Sequence, residues 1–183
     1  MNKITKQLHS GKSLRLPAFK LNMKAIREKR HRLDPEVYKG ERIISFTLGI
    51  KNKKSFFTTN DVYTSFKEIL LNELKNFNCS AYVYLFMADH VHLTLAGNDS
   101  SSNIKKCLDM FKQKTGFWLS QNHPDIKWQK DYYDHILRSK ENLEIHIKYI
   151  LNNPVRAGLV ENWKYYPFKG STIYDLEEWA LNW

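Results

Sequence analysis

The sequence predicts an α+β domain: a ferredoxin-like βαββαβ antiparallel sheet with an additional C-terminal helix and a basic N-terminal arm. Two observations predict this fold. Short runs rich in β-branched and aromatic residues alternate with longer segments of helical periodicity in the order β-α-β-β-α-β. A further helical segment follows the last strand and stops before Pro154. Two helices of such a fold cover one face of the sheet. We expect the final helix to lie on the other face.

The individual elements are predicted from their patterns and boundary signals. The predicted strands cover residues 42–50, 80–88, 90–96 and 131–138. The predicted helices run from about residue 60 to 76, from about 103 to 121 and from 140 to about 153. Asn60 or Asp61 can cap the first helix, and Ser139 is the predicted cap of the last. Only Asp89 separates the second and third strands, so they form either a tight hairpin or two strands joined through a kinked bulge.

Length and composition narrow the class of protein. The 183 residues suffice for one domain with a core. The sequence contains neither a transmembrane-length apolar run nor the apolar stretch of a secretory signal. Cys79 and Cys107 lack metal-finger spacing and are interpreted as reduced thiols, although a disulfide between them stays open. We therefore expect a cytoplasmic protein with no membrane partner.

The positive charge is concentrated at the N-terminus. The chain has a net charge of +10, and residues 1–32 hold ten of its 29 Lys and Arg residues against one acid. Such an arm is typical of a protein that binds a polyanion such as nucleic acid, which would associate it with the nucleoid. The alternative is a disordered, solubilising tail. We predict an arm over residues 1–36 and a catalytic domain over 37–183. The predicted DNA-binding residues are Arg15, Lys20, Lys24, Arg27, Lys29, Arg30 and Arg32.

The third strand carries the most informative motif, His90-Val91-His92. Side chains alternate across a strand, so the two histidines project from one face while Val91 takes the other. Two imidazoles placed in this way can fill two positions on one divalent metal ion if a third ligand comes from elsewhere. The alternative is a pair of surface or hydrogen-bonded histidines.

The final helix offers the complementary groups. Its predicted buried stripe is Leu143, Ile147 and Ile150, and its second, polar stripe is Asn142, His146, Tyr149 and Asn153. The Asn153 carbonyl oxygen can be the third ligand, and a mixed nitrogen and oxygen site suits Mg²⁺ or Mn²⁺. Tyr149 can act as a nucleophile on a phosphate. Taken singly, an ordinary helix tyrosine and an asparagine before proline would explain the same residues.

Four segments resemble a known family when taken together. They are Met87–Leu93, His135–Arg138, Tyr149–Val160, and Trp163–Phe168 with Ser171. These segments, within about residues 40–172, resemble the single-tyrosine HUH transposases and, within them, the REP-associated tyrosine transposases of bacterial chromosomes. His-x-His alone is a weak signal, but joined to the Tyr-x-x-x-Asn-Pro-Val-x-x-Gly segment at this spacing it is specific.

The resemblance implies metal-dependent cleavage and joining of single-stranded DNA that contains a hairpin. By analogy His90 and His92 are metal ligands and Asn153 is the third. Tyr149 attacks a backbone phosphate, leaving a 5′-phosphotyrosine link and a free 3′-hydroxyl. His146, on the stripe of Tyr149, is a candidate for assisting proton transfer from the phenol. The resemblance leaves a monomer and a homodimer open.

The chain departs from the family pattern at Ala88-Asp89 and in the basic arm over residues 1–32, which lies outside the similarity, and other functions stay open. Ala88-Asp89 replaces the Pro-Asn or Pro-Glu usual before the first histidine, so the strand geometry there can differ. His135 recurs in the family without a derived role. The alternatives are a domesticated protein that binds hairpin DNA or RNA without cutting, and a metal phosphoesterase that uses water. A histidine-triad hydrolase is set aside because its third histidine falls at Thr94.

Overall fold

The computed structural model describes residues 34–138 and 140–179, and for residues 140–142 it describes the backbone. The four predicted strands and three predicted helices are all present. The strands are β1 (Ile43–Gly49), β2 (Cys79–Met87), β3 (His90–Gly97) and β4 (Tyr133–Ile136), with a two-residue β5 (Lys169–Gly170). The α-helices are α1 (Asn60–Asn76), α2 (Ile104–Asn122), α3 (Lys140–Leu151), α4 (Asn153–Arg156) and α5 (Leu176–Trp179). Short 3₁₀ turns lie at Pro35–Tyr38, Lys51–Lys53 and Trp163–Tyr165.

The sheet has the strand order β4-β1-β3-β2-β5, and every pair is antiparallel. The chain therefore passes through βαββαβ with the two central strands β1 and β3 adjacent, which confirms the predicted ferredoxin-like fold. β5 adds an edge pair to β2 that the sequence analysis did not predict.

β2 and β3 form a tight hairpin, and the alternative of two strands joined through a kinked bulge is wrong. Met87 pairs with His90, so Ala88 and Asp89 are the two loop residues. Neighbouring backbone holds this loop from outside. The Ile50 N–H donates to the Asp89 carbonyl at 2.8 Å, and the N–H groups of Phe56 and Phe57 donate to the Ala88 carbonyl at 2.6 and 3.0 Å. The register of the two histidines is thereby fixed.

Each face of the sheet has its own apolar cluster. α1 and α2 cover the face that carries Phe46, Phe86 and Val91. α3 packs on the opposite face, where its buried residues Leu143, Ile147, Ile150 and Leu151 meet Val83, Leu85 and Met87 of β2. The predicted buried stripe of the final helix is confirmed, and so is its position on the second face of the sheet.

Several boundaries differ from prediction for local reasons. Thr59, rather than Asn60 or Asp61, is the N-cap of α1, because its side chain accepts from the Val62 N–H. β4 is shorter than predicted. The predicted helix to residue 153 is two helices, since α3 ends at Leu151 and α4 restarts with Pro154 in its first turn, where a missing N–H costs nothing.

Other sequence predictions fall outside the described residues. Ser139 and the seven predicted DNA-binding residues of the arm are among them. The arm and domain boundary at residue 36 therefore stays a prediction. Cys79 and Cys107 are both buried and free. Within the described part of the chain, none of the helices has the length and apolar character needed to cross a membrane.

Candidate active site

The face of the sheet under α3 carries a row of polar side chains. Directly opposed residues of antiparallel strands share a face. Thr47 is opposite both His92 and Tyr133, and Ser45 is opposite both Thr94 and His135. Alternation sends the apolar neighbours of these residues to the α1 and α2 side. The sequence therefore delivers hydroxyls and imidazoles to one face only.

His90 and His92 of the β2–β3 hairpin lie next to each other, with the Nε2 atom of one ring facing the Nε2 atom of the other. The Nε2 atoms of His90 and His92 lie 3.1 Å apart. The Nδ1 atom of His90 is 2.5 Å from Asp89 Oδ1, and the Nδ1 atom of His92 is 3.1 Å from Thr47 Oγ1. Asp89 and Thr47 thus orient the two rings from behind, as partners of metal-binding histidines commonly do.

The pair is chemically suited to hold a cation. Burial lowers the pKa of His92 to about 3, with smaller contributions from His90, His146 and Arg156. His92 is therefore neutral at physiological pH. In the tautomer that places the proton of each ring on Nδ1, both Nε2 lone pairs point at the same space and can bind one metal ion.

His146 anchors α3 to the sheet. Its Nε2 atom lies 2.7 Å from Ser45 Oγ. Burial, with a smaller contribution from the nearby His135, lowers its pKa to about 4. One nitrogen of this neutral ring is therefore paired with β1. Its predicted role in assisting the phenol stays a prediction. His135, opposite Ser45 on β4, belongs to the same polar row.

Tyr149 and Asn153 lie together on either side of the α3–α4 junction, and Arg156 connects them. The guanidinium carbon of Arg156 is 4.5 Å from the centroid of the Tyr149 ring. Its Nη1 donates to Asn153 Oδ1 at 3.3 Å. The Tyr149 side chain is 40% exposed, so the ring is open to solvent on another side. The sequence analysis missed Arg156, although its spacing of seven from Tyr149 is two helical turns.

The spacing and the free lone pairs of the predicted ligand atoms can be compared with what a divalent metal ion needs. Ligand atoms that neighbour each other around an octahedral ion with bonds of about 2.1 Å are roughly 3 Å apart, close to the observed separation of the His90 and His92 Nε2 atoms. Asn153 Nδ2 is buried without a hydrogen-bond partner among the described residues. Its Oδ1 has two lone pairs, so it can accept from Arg156 and still ligate. The donor atoms of His90, His92 and Asn153 are of the types that a divalent metal ion takes, and the shared site stays a prediction.

Among the residues whose side chains the structure describes, no group of three or more His, Cys, Asp and Glu could hold a metal ion. Asn153 stays the predicted third ligand. The side chain of Asn142, the first member of the predicted polar stripe, lies outside the described residues.

The fold and this site define a class of DNA-processing enzymes. The chain belongs to the IS200-like transposase family, because the family model described as "Transposase IS200 like" matches residues 41–153. That range includes both histidines, Tyr149 and Asn153.

Two comparisons with known proteins show what this chain is similar to. It is similar to a protein of Haemophilus influenzae (strain ATCC 51907 / DSM 11121 / KW20 / Rd) named "Putative REP-associated tyrosine transposase", with 23% identity over 158 residues, 75% of this chain and 86% of the relative. Its fold is similar to the structure of a REP-associated tyrosine transposase bound to a REP hairpin. That match has a TM-score of 0.64 and 19% identity, over 76% of this chain and 80% of the other. The resemblance predicted from the sequence motifs is confirmed.

Proposed function

We propose that this protein is a metal-dependent endonuclease and strand transferase that cleaves hairpin-containing single-stranded DNA through a 5′-phosphotyrosine intermediate. The observation that carries the proposal is the paired His90 and His92 Nε2 atoms on the sheet face that α3 covers, with Tyr149 and Asn153 on α3 and α4. The curated relative and the solved neighbour, a transposase bound to a REP hairpin, support the choice of DNA hairpins as substrate.

Metal binding and the orientation of the metal ligands are assigned to different residues in this proposal. His90, His92 and Asn153 would hold Mg²⁺ or Mn²⁺, which when bound draws electron density from the oxygens of the scissile phosphate. Asp89 and Thr47 hold the two imidazoles in the orientation that presents Nε2. These ligands are neutral, so they leave the positive charge of the site undiminished for the developing negative charge.

Tyr149 supplies the nucleophile. Its hydroxyl oxygen attacks the phosphorus, the new Tyr149 Oη–P bond forms, and the P–O3′ bond breaks. The phenol proton is lost and the leaving 3′-oxygen gains a proton. Because the phosphodiester energy is kept in the phosphotyrosine link, attack by a 3′-hydroxyl of another strand reverses the step and joins the two DNA ends. The partly exposed ring of Tyr149 is accessible to such a strand.

The basic arm adds binding surface under this proposal. Its seven named Lys and Arg residues would contact DNA phosphates, which predicts an affinity that falls steeply with salt. Phosphate contacts position the DNA and carry no sequence information, so recognition of the hairpin would rest on other residues. We propose the protein as either a monomer or a homodimer.

The test is covalent capture of the intermediate. The full chain is incubated with Mn²⁺ and single-stranded oligonucleotides from the flanks of its own gene, labelled at the 3′ end so that the label stays with the 5′-phosphotyrosine. We expect a labelled adduct that Tyr149→Phe abolishes. Tyr165→Phe is the matched control, because Tyr165 is 76% exposed and lies away from α3 in sequence.

Each other outcome selects a different function. An adduct that persists in Tyr149→Phe would show that the assigned nucleophile is wrong. Cleavage without an adduct would indicate a phosphoesterase that uses water. Hairpin binding without cleavage, insensitive to His90→Ala and to chelators, would indicate a protein that only binds nucleic acid.

A further inference from the structure

We propose that Arg156 binds the scissile phosphate and at the same time fixes the ring of Tyr149 against it. The inference rests on the proposed function, because it assigns a second cationic group to the same reaction. It concerns a residue beyond the matched range of the family model, which ends at residue 153. The evidence lies in the contacts, the local backbone and the exposure of this one side chain.

The first step of the argument is that Arg156 touches both groups that matter. Its guanidinium stands 4.5 Å from the centre of the Tyr149 ring, within the roughly 6 Å range of a cation–π contact. Its Nη1 donates to Asn153 Oδ1 at 3.3 Å. An anion that approaches both the phenol and the predicted metal ligand must therefore pass close to this guanidinium.

The second step is that, within the described part of the chain, the guanidinium of Arg156 donates one hydrogen bond, to Asn153, so other donors are left for a ligand. A guanidinium carries five N–H donors in a planar fork, and the structure assigns one of its nitrogens to Asn153. The Arg156 residue is exposed. The remaining fork matches two oxygens of a phosphate, which is the reason arginine is favoured over lysine in phosphate recognition.

The third step is that the backbone holds Arg156 in place. It is the last residue of α4, whose first turn contains the buried Pro154. The Arg156 N–H donates to the Asn152 carbonyl at 2.9 Å. Gly158 follows with a φ of 69°, the left-handed conformation that ends helices, and Leu159 N–H donates back to the Pro154 carbonyl at 2.9 Å. These hydrogen bonds fix the backbone of Arg156, and the contacts with Tyr149 and Asn153 then set the direction of its side chain.

The experiment measures single-turnover adduct formation with saturating DNA and Mn²⁺. We expect Arg156→Gln to lower the rate by about 10²–10³-fold, the usual loss for removal of one preorganised donor. Arg156→Lys keeps the charge and loses the fork, so we expect it to recover part of that loss. Arg42→Gln is the matched control, because Arg42 is exposed and precedes the end of β1 farthest from His90.

A modified substrate separates a phosphate contact from a purely structural role. A methylphosphonate at the scissile position removes one charged oxygen and should slow the wild-type protein strongly. In Arg156→Gln the same substitution should cause a smaller further loss than in the wild-type protein, because the contact with Arg156 is already absent while the other contacts of the phosphate remain. Melting temperature and hairpin affinity of all three variants should stay close to those of the wild-type protein.

The outcomes distinguish this inference from the proposed function. If the wild-type protein forms the Tyr149 adduct and Arg156→Gln forms it at an unchanged rate, Arg156 has no role and the inference is wrong. Equal methylphosphonate losses in wild type and Arg156→Gln would overturn the phosphate contact. If Arg156→Gln does not fold, the methylphosphonate comparison with Arg156→Lys decides the question. If the wild-type protein forms no adduct, the proposed function itself fails.

Discussion

The two faces of the sheet differ in chemistry although they share the same five strands. The face under α1 and α2 is filled by aromatic rings in edge and tilted contacts, which surround Phe66. The face under α3 has a smaller apolar cluster and, beside it, the row of hydroxyls and imidazoles that runs from His135 to His90. Alternation along β1 and β3 produces both faces from one continuous stretch of sequence.

Because of this difference, one face of the sheet mainly contributes to folding stability and the other carries the groups of the candidate active site. Changes on the aromatic face should lower the free energy of unfolding and leave the geometry of the histidine pair intact in the folded molecules. Changes in the polar row should alter metal binding or proton binding and leave the core unaffected. The predictions below test this separation.

The largest effect is expected on the aromatic face. Phe66 is completely buried and contacts the rings of Phe56, Phe57, Phe86, Phe111, Trp118 and Trp128. Phe66→Ala should lower the free energy of unfolding by about 3–5 kcal/mol, measured by urea denaturation, because it leaves a cavity among these rings. Phe117→Ala is the matched control, since Phe117 is 69% exposed. Equal losses in the two variants would refute the role of this face.

A smaller effect is expected behind the metal site. Thr47→Val removes the oxygen that lies 3.1 Å from His92 Nδ1 and keeps the side chain's shape. We expect the affinity for Mn²⁺, measured by calorimetry, to fall about 10–100-fold, since hydrogen-bond partners of metal-binding histidines have effects of this size. The free energy of unfolding without metal should change by less than about 1 kcal/mol.

A matched threonine controls for the loss of a hydroxyl. Thr58→Val changes the same group at an exposed position of the segment before α1 and should leave the Mn²⁺ affinity unchanged. If Thr47→Val also binds Mn²⁺ as tightly as the wild-type protein, His92 is not oriented by β1.

The smallest effect is a dependence of stability on pH. The pKa of His146 is about 4 in the folded protein and about 6.5 in the unfolded chain, so the unfolded chain binds more protons between these values. Stability is therefore fully present above about pH 6.5 and is lost as the pH falls toward 4. His146→Gln should reduce the loss of unfolding free energy between pH 7 and pH 4.5 by about 1–2 kcal/mol.

The control for this prediction is another histidine. His123→Gln changes an exposed histidine at the end of α2 and should leave the pH dependence as it is in the wild-type protein. An identical acid sensitivity in His146→Gln and the wild-type protein would show that the burial of His146 does not make its protonation destabilise the fold.

Periodicity and alternation predicted the elements that carry the fold, because those patterns arise directly from burial. The helix over Asn60–Asn76 and the face shared by His90 and His92 are examples. Tertiary context decided the rest. β5 has only two residues, and its pairing with Tyr84 and Leu85 depends on where the chain returns after α4, which no local pattern encodes.

Arg156 shows why part of the site was missed. The final helix is predicted to end before Pro154, since proline interrupts a helix, and the residues after it then count as a new segment. The structure restarts a helix there immediately, with Asn152 as the only residue between α3 and α4. Arg156 therefore keeps its two-turn relation to Tyr149, and the i,i+7 spacing would have indicated the contact.

The backbone around the loop between β2 and β3, rather than the loop's own side chains, sets the shape of that loop. Three backbone N–H groups, those of Ile50, Phe56 and Phe57, donate hydrogen bonds to the carbonyls of Ala88 and Asp89 and hold the loop in this conformation. The loop needs no rigid proline of its own to hold that shape. The side chains of the loop can therefore be substituted without moving the two imidazoles. In this chain the side chain of Asp89 contacts the ring of His90.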